Sequence, residues 1–404
     1  MSDFRPSLYL AHAFYMSVMS SRERLSSLFF AVLGLSATSW GGLALMAQLE
    51  RRYVENKKLL SAEAFADLVA VAWAVPGPVA CNVAIQLGYV LRGGTGACLA
   101  GVASVLPFFL AMTGLAIAYQ QHALHLLLSP DLLPRFYIVL TCLIAVTLWR
   151  QSRSLLKERC HQAVAALSCV LLWQFHVPAV FVGVLAGSFA YGWATGPRAA
   201  SQLRLPSLSP LEKAALLVFV VALATFACVP LDYAAGLAVN MLRQVGASLS
   251  LFGGGFSAIP VLRSLFVTTP DGVPAGTFNT AFTLSALVPG PLLNVVPFLA
   301  FLHMGAVGAF SSTFAFFAPT GVLAVLAQKW RSALRQSARF EYALGFLRAA
   351  TTAFLAETIL RLLPHIPLTA LDVALGIAGI VALARFKLPV YWLYLAVAAG
   401  SFLL

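Results

Sequence analysis

Apolar residues recur along this chain in blocks, many of them 17 to 25 residues long, the length a helix needs to cross the hydrocarbon core of a bilayer. In the first half the blocks cover residues 25–49, 95–119, 132–149, 162–175 and 178–193. In the second they cover 211–229, 234–267, 306–326, 342–363, 368–384 and 388–404. Between them lie shorter apolar pieces in pairs, 64–75 with 79–91 and 278–288 with 292–303, each too short to cross alone. No segment alternates apolar and polar positions as a barrel strand does, so backbone groups in lipid must be satisfied inside helices. Residues 1–24 carry only a short apolar stretch, interrupted by His12 and flanked by Asp3 and Glu23, and predict an interfacial helix rather than a signal peptide.

The two halves share their punctuation. A shift of 213 residues lays Pro76-Gly77-Pro78 on Pro289-Gly290-Pro291, Gly41-Gly42 on Gly254-Gly255, and Phe65 on Phe278. After the second proline a shift of 212 lays Asn82 on Asn294, Gly93 on Gly305, Gly96-Ala97 on Gly308-Ala309, and Pro107 on Pro319. This is an internal duplication. Its boundaries are predicted as an N-terminal segment 1–24, a first repeat 25–194, a linker with an extra helix 195–233, and a second repeat 234–404.

Charge predicts how the repeats are oriented. The loop 50–61 holds four Lys or Arg and its counterpart 268–277 holds none; 120–134 holds none and 328–340 holds four; 150–159 holds four and 364–367 holds none. Positive residues stay on the cytoplasmic side, so equivalent loops fall on opposite sides and the repeats are inverted. The expected fold is an all-α polytopic membrane protein of two inverted repeats, each with about five transmembrane helices and a Pro-Gly-Pro-broken hairpin. The block 211–229 complicates the parity. It lies at the interface, or 234–267 crosses differently from its counterpart, or the count differs by one.

Pro-Gly-Pro inside an apolar hairpin is the most informative motif. Each proline lacks an N–H and pushes its predecessor to extended geometry, so one helix must stop and another start. A helix start presents unpartnered N–H groups at the positive end of the helix dipole, and two such starts near the midplane make a cage for an anion. The plain alternative is a tight turn packed between helices. On the anion reading the substrate residues are Pro76, Gly77 and Pro78 with Asn82, and Pro289, Gly290 and Pro291 with Asn294. Each asparagine could donate to an oxyanion, cap the helix start, or bond between helices. Gly253, Gly254 and Gly255, like Gly41-Gly42, allow close packing or a break that exposes backbone groups.

Charged residues inside apolar blocks are few and therefore informative. Arg263 either attracts a divalent anion or snorkels, and Arg92 has the same two readings. Asp67 either carries a coupling proton or pairs at the membrane edge. Glu357 and Arg361 stand four apart on one helix and pair with each other.

Composition narrows the class further. Hydrophobic residues make up 60% of the chain and charged ones 10%, against about a quarter charged in soluble domains. The net charge of +12 sits in short loops, with no continuous basic face for nucleic acid. The six cysteines form no CxxC pair and the seven histidines show no metal spacing, so no metal or cofactor is expected. No His, Asp or Ser cluster stands at catalytic spacing, which argues against an enzyme.

At these residues the sequence resembles the chromate ion transporter family. Phe65, Asp67, the first Pro-Gly-Pro, Asn82, Gly88, Tyr89, Gly93, Gly96 and Ala97 match its pattern. So do Phe252 to Gly255, Ile259, Pro260, the second Pro-Gly-Pro, Asn294, Gly305, Gly308 and Ala309. The resemblance covers both halves, as in the long two-domain members. Departures are Trp40 and Leu43 around the first glycine pair, Trp73 three residues before the first break, Ala47-Gln48 in place of Ile-Pro, and Leu265 where an acidic residue is expected. The resemblance implies efflux of chromate, or of a sulfate-like oxyanion, across the inner membrane of a bacterium, with chromate resistance as the result. Rival readings are a transporter of another small anion, a membrane-embedded enzyme, and a non-transporting subunit. A homodimer is compatible with the duplication.

Overall fold

The computed structural model describes residues 23–123, 132–175, 177–197, 207–229, 236–252, 255, 258–269, 272–366, 369–386, 388 and 390–403. The predicted interfacial segment 1–24 thus lies almost wholly outside the described residues, as do Gly253 and Gly254 and parts of the linker 195–233.

The described chain is helical. The first apolar block divides into α1 (Leu25–Thr38) and α2 (Gly42–Glu50), which runs on as a wide π-helical turn, Arg51–Asn56. The first short pair becomes α3 (Ala62–Ala74) and the start of α4 (Val79–Gln120). Then follow α5 (Leu132–Leu155), α6 (Arg159–Gln174), α7 (Pro178–Thr195) and α8 (Pro210–Cys228). The second half has α9 (Leu237–Ser248), α10 (Ala258–Phe266), α11 (Ala275–Leu287), α12 (Val295–Gln336), α13 (Ala338–Leu362), α14 (Ala370–Ala384) and α15 (Val390–Leu403). Five described helices, α4, α7, α8, α13 and the segment Leu292–Trp330, are long and apolar enough to cross a membrane.

The long blocks 25–49 and 234–267 are each broken rather than continuous, the first between α1 and α2, the second between α9 and α10. The 42-residue α4 is also not one rod. Its backbone leaves helical geometry at Arg92 (φ −145°, ψ 19°) and Gly93 (φ 63°, ψ −152°). Residues 85 and 101 would stand about 24 Å apart in a straight helix, yet a Cβ on Gly101 would lie 3.2 Å from Ile85 Cγ1. The chain therefore folds back on itself, with Gly88 against Gly96 and Ala100. In α12 the same reversal occurs at Met304 (φ −133°, ψ 18°) and Gly305 (φ 59°, ψ −150°). The sequence repeat is thus a repeat of backbone geometry, down to the dihedral angles of the reversal.

The two reversed helices form the centre. Their rings interleave, Phe108 with Phe317 at 5.2 Å, Phe109 with Phe310 at 6.5 Å and Tyr119 with Phe298 at 5.6 Å between centroids. One buried cluster containing Phe108, Met112, Phe298, Phe316 and Phe354 joins both repeats, and such apolar packing between small and aromatic residues is what holds helices together in lipid. The extra block is a 19-residue helix, α8, started by Pro210 and a capping box between Ser209 and Glu212. Glu212 also pairs with Lys329 of α12. A Cβ on Gly246 of α9 would collide with the Ala222 carbonyl, so α8 packs backbone to backbone on α9.

Candidate functional site

Both Pro-Gly-Pro motifs break their helices as the proline chemistry requires. Val75 and Val288, the residues before each motif, are extended (ψ 155° and 133°). Gly77 and Gly290 have φ of +101° and +137°, a region that only glycine enters readily. In the first repeat Pro78 caps α4 directly. In the second, Pro291 caps a tight 3-10 turn, Leu292–Asn294, that leads into α12.

Each break is held by the opposite repeat. Gly77 donates its N–H to the Leu251 carbonyl at 2.7 Å, and Gly290 donates to the Ser39 carbonyl at 2.9 Å. Gly41 in turn donates to the Gly290 carbonyl at 3.2 Å. Side chains repeat the exchange. A Cβ on Gly77 would lie 2.6 Å from Thr320 Cβ, and one on Gly290 would lie 3.1 Å from Phe108 Cδ1. Thr320 and Phe108 each follow the proline inside their long helix, Pro319 and Pro107. Four helix breaks, two from each repeat, therefore meet at one place.

A narrow cleft opens there, about 200 Å³ of atom-free space with its mouth included. Its walls stand so close that no water-sized solute fits between them in this conformation. Gly41, Gly42 and Leu45 at the start of α2 form one wall, with Ser36 and Ser39 just before it. Ala80 and Ser104 of α4 form a second wall, and Gly290 with Pro291 closes the third. A Cβ on Gly42 would lie 3.3 Å from Ala80 Cβ, so the starts of α2 and α4 converge. Each start leaves N–H groups without a partner inside its helix, at the positive dipole end. No lining residue is charged. Ser39 and Ser104 already donate to the Leu35 and Gly101 carbonyls, so the cleft offers an anion the Ser36 hydroxyl and backbone dipoles alone.

The predicted residues distribute unevenly around this cleft. Gly290 and Pro291 line it, and the first Pro-Gly-Pro leads into its α4 wall. Asn82 and Asn294 are fully buried and strap the breaks. Asn82 Nδ2 donates to the Pro76 carbonyl at 3.1 Å, and Asn294 Nδ2 donates to Ser285 and Val288 carbonyls at 2.9 and 3.2 Å. Gly255 packs on Leu292 at the equivalent place of the second repeat. Arg263 on α10 lies in the electrostatic reach of Arg361 and Glu357, apart from the cleft lining. Asp67 is half-buried on α3 and does not line the cleft either. Glu357 and Arg361 form the expected pair, with the Arg361 guanidinium 5.2 Å from the Trp173 ring. Sequence reasoning passed over Ser36, Ser39 and Ser104. They are isolated hydroxyls in apolar blocks, and only their place beside a helix break marks them.

Broken helices crossing at the interface of two repeats, with a narrow uncharged cleft between them, define a multi-pass membrane transporter. The chain belongs to the chromate transporter family, whose sequence profile matches residues 26–193 and again 237–402. It is 25% identical over 381 residues to a chromate transport protein of Pseudomonas aeruginosa, covering 92% of this chain and 90% of that one. It is 26% identical over 323 residues to a chromate transport protein of Cupriavidus metallidurans, covering 75% and 73% respectively. An uncharacterised transporter of Methanocaldococcus jannaschii is 25% identical over 353 residues, covering 85% and 86%. No solved structure matches the chain.

Proposed function

We propose that the protein exports chromate across the cytoplasmic membrane, conferring chromate resistance, and that the anion is held at the helix starts beside the Pro-Gly-Pro breaks. The relatives named as chromate transport proteins supply the substrate class. The observation that carries the site is the reciprocal locking of Gly77 on Leu251 and Gly290 on Ser39, which gathers helix starts at the repeat interface. That is where transporters of inverted repeats keep their substrate. On this reading the repeats span about 25–194 and 234–404 and are inverted, as the loop charges demand. Asp67, half-buried on α3, is the residue for a coupling proton.

The departures from the family pattern do not argue against chromate. Trp40, Leu43 and Trp73 are 44%, 73% and 39% exposed and are not among the residues that line the cleft. Trp40 donates its indole N–H to the Leu287 carbonyl at 3.3 Å and lies 5.2 Å from Tyr391. A second reading, transport of sulfate, rests on the uncharged cleft, since hydroxyls and backbone dipoles serve any tetrahedral divalent oxyanion.

The test is chromate accumulation in a chromate-sensitive bacterial host with and without the protein, across a series of sulfate concentrations. Lower accumulation in expressing cells means export. Weakening of that export by internal sulfate means a shared oxyanion site. Unchanged accumulation, with the protein verified in the membrane, overturns the proposed substrate.

A further inference from the structure

The reversal inside α4 turns that helix into a ruler. Its first arm is 79–91 and its second is 94–120. Gly96 lies against Gly88 and Gly101 faces Ile85, so the second arm starts at the outer end of the first and runs back along it. At Ser104 it is level with Ala80, two residues past the first Pro-Gly-Pro, since both line the cleft. At Phe108 it reaches Gly290, in the second Pro-Gly-Pro. It then follows the second repeat outward. Tyr119 lies 5.6 Å from the Phe298 ring of α12, and its Oη is 3.2 Å from Thr277 Oγ1, near the start of α11. One helix thus passes the outer end of the first hairpin, its tip, the tip of the second hairpin, and that hairpin's outer end. The residues from 94 to 120 span about 40 Å, the thickness of a bilayer with its headgroups.

The arms of each hairpin lie side by side. Gln86 Nε2 donates to the Leu68 carbonyl at 3.3 Å, across 18 positions of sequence. A helix that ran straight through the Pro-Gly-Pro would hold the two about 27 Å apart. The outer ends of α3 and of the first arm of α4 therefore share one face of the membrane. In the second repeat a single carbonyl gathers the outer ends. Phe266, the last residue of α10, accepts from the Val273 N–H at 2.8 Å, just before α11. The same oxygen lies 3.4 Å from His303 Nε2, at the end of the first arm of α12. Glu23, before α1, pairs with Lys57, just past the turn that extends α2, so those two helices also begin and end together. α1, α3 and α11 have 14, 13 and 13 residues. That is about 20 Å each, short of the roughly 30 Å hydrocarbon core.

We infer that both Pro-Gly-Pro hairpins are re-entrant and open to opposite faces of the membrane. α1 with α2, and α3 with the first arm of α4, dip in from the cytoplasmic face and return to it. α11 with the first arm of α12 does the same from the other face, where α10 also ends. The sides follow from charge. Loop 50–61, at the outer ends of the first-repeat hairpins, holds four Lys or Arg, and 268–277, at those of the second, holds none. The tips meet at mid-depth, in the bonds of Gly77 to Leu251 and Gly290 to Ser39. Only the second arms of α4 and α12 carry the chain past them. The parity of the block 211–229 then closes. α8 crosses, from a start marked by Arg198, Arg204 and Lys213 to a stretch, 229–237, without Lys or Arg. On the export reading above, each repeat serves one side: the anion enters along the first-repeat hairpins and leaves along those of the second.

The test is labelling of single cysteines by a membrane-impermeant maleimide in intact cells, permeabilised cells and denatured protein. The background is the full-length chain with its six cysteines changed to alanine. Ala62 and Ala275 start α3 and α11, and Thr95 and Val307 follow the two reversals. Leu211 and Leu237 stand at the starts of α8 and α9. Ala275→Cys, Val307→Cys and Leu237→Cys should label in intact cells. Ala62→Cys, Thr95→Cys and Leu211→Cys should label only after permeabilisation. Opposite sides for Ala62→Cys and Thr95→Cys, or for Ala275→Cys and Val307→Cys, would make that hairpin a broken span and overturn the inference. A position that labels only after denaturation would lie inside the membrane and overturn it as well. One side for Leu211→Cys and Leu237→Cys would overturn the crossing of α8, and the whole pattern reversed would overturn the sides. Chromate takes no part in this readout. The expected pattern in a protein that leaves chromate accumulation unchanged would keep the hairpins and remove only the substrate.

Discussion

The amide of Gly290 donates to the carbonyl of Ser39 at 2.9 Å, although 251 residues separate them in the chain. Its repeat counterpart is the bond from Gly77 to Leu251. In a bilayer a broken helix exposes backbone groups that lipid cannot satisfy. Here each broken helix satisfies the other's, so neither break is stable without both repeats in place. Expressed separately, either half should insert but fail to yield a protease-resistant core, and co-expression of the halves should restore it. Equal resistance in an isolated half would contradict the mutual lock.

Valine at Gly77 should be worse than valine at Gly290. Both positions have positive φ, a strain of about 1–3 kcal/mol for an ordinary residue. At Gly77 the new Cβ also meets all three heavy atoms of the Thr320 side chain beyond Cα, at 2.6 to 2.7 Å, and the β-branched Thr320 is stiff. At Gly290 it meets one ring, Phe108, at 3.1 to 3.3 Å, which can shift by a few tenths of an ångström. Both variants should lose chromate transport, measured per unit of protein in the membrane. Gly77→Val should also lose the larger share of its melting temperature. Full transport by either properly inserted variant would remove the breaks from the mechanism.

Leucine at Ala80 should close the cleft by writing the second repeat's residue into the first. Ala80 Cβ would already stand 3.3 Å from a Cβ on Gly42, and overpacking of this kind costs about 1–3 kcal/mol. Transport should fall at least about tenfold while membrane abundance changes little. The reverse change, Leu292→Ala, should lower stability by about 2–5 kcal/mol through the cavity it leaves. A vesicle assay of both variants settles the comparison; unchanged transport in Ala80→Leu would show that the cleft is not on the path.

Asn82 and Asn294 should differ in stability rather than in substrate preference. Asn82 holds one buried carbonyl at its break; Asn294 holds two, that of Ser285 buried and that of Val288 partly so. Leaving a buried carbonyl unsatisfied costs about 1–3 kcal/mol. Asn294→Ala should therefore lower the melting temperature more than Asn82→Ala, with the ratio of chromate to sulfate affinity the same in both. A shifted ratio would return the asparagines to the substrate.

The breaks and the duplication were legible because proline and glycine act locally. Val75 becomes extended whatever surrounds it, and a reversal at Gly93 predicts one at Gly305. Local chemistry also separates α3 from α4 and pairs Glu357 with Arg361 one turn on. What the sequence did not disclose is which break meets which. Nothing near Gly290 names Ser39 as its partner, so the hydroxyl wall of Ser36, Ser39 and Ser104 emerged only from the crossing. The same limit applies to Arg243 on α9. This arginine is 1% exposed and donates to Asn240 Oδ1 at 3.3 Å, yet within the block 234–267 it looks like any interruption of a span. Arg263 failed in the opposite sense, since its charge is local but its company with Arg361 and Glu357 is tertiary.

That charged group leads to the last prediction. Glu357 is 3% exposed, pairs with Arg361 one turn later, and has Arg263 of α10 in electrostatic reach. Arg263 therefore sits in the field of this pair, repelled by Arg361 and attracted by Glu357, where α10 packs on α13. Removing one partner of a buried pair strands the other, at about 3–5 kcal/mol. Glu357→Ala leaves both arginines without the carboxylate and should be the most destabilising single change in the group. Arg361→Ala also removes the guanidinium from the face of Trp173, a contact of about 0.5–2 kcal/mol. Arg263→Ala keeps the Glu357–Arg361 pair and should cost least. Thermal unfolding of the three variants in detergent gives the order directly. If Arg263→Ala instead leaves stability intact and abolishes transport, Arg263 serves the anion on its way to or from the cleft, as its charge first suggested, and its place there is functional rather than structural.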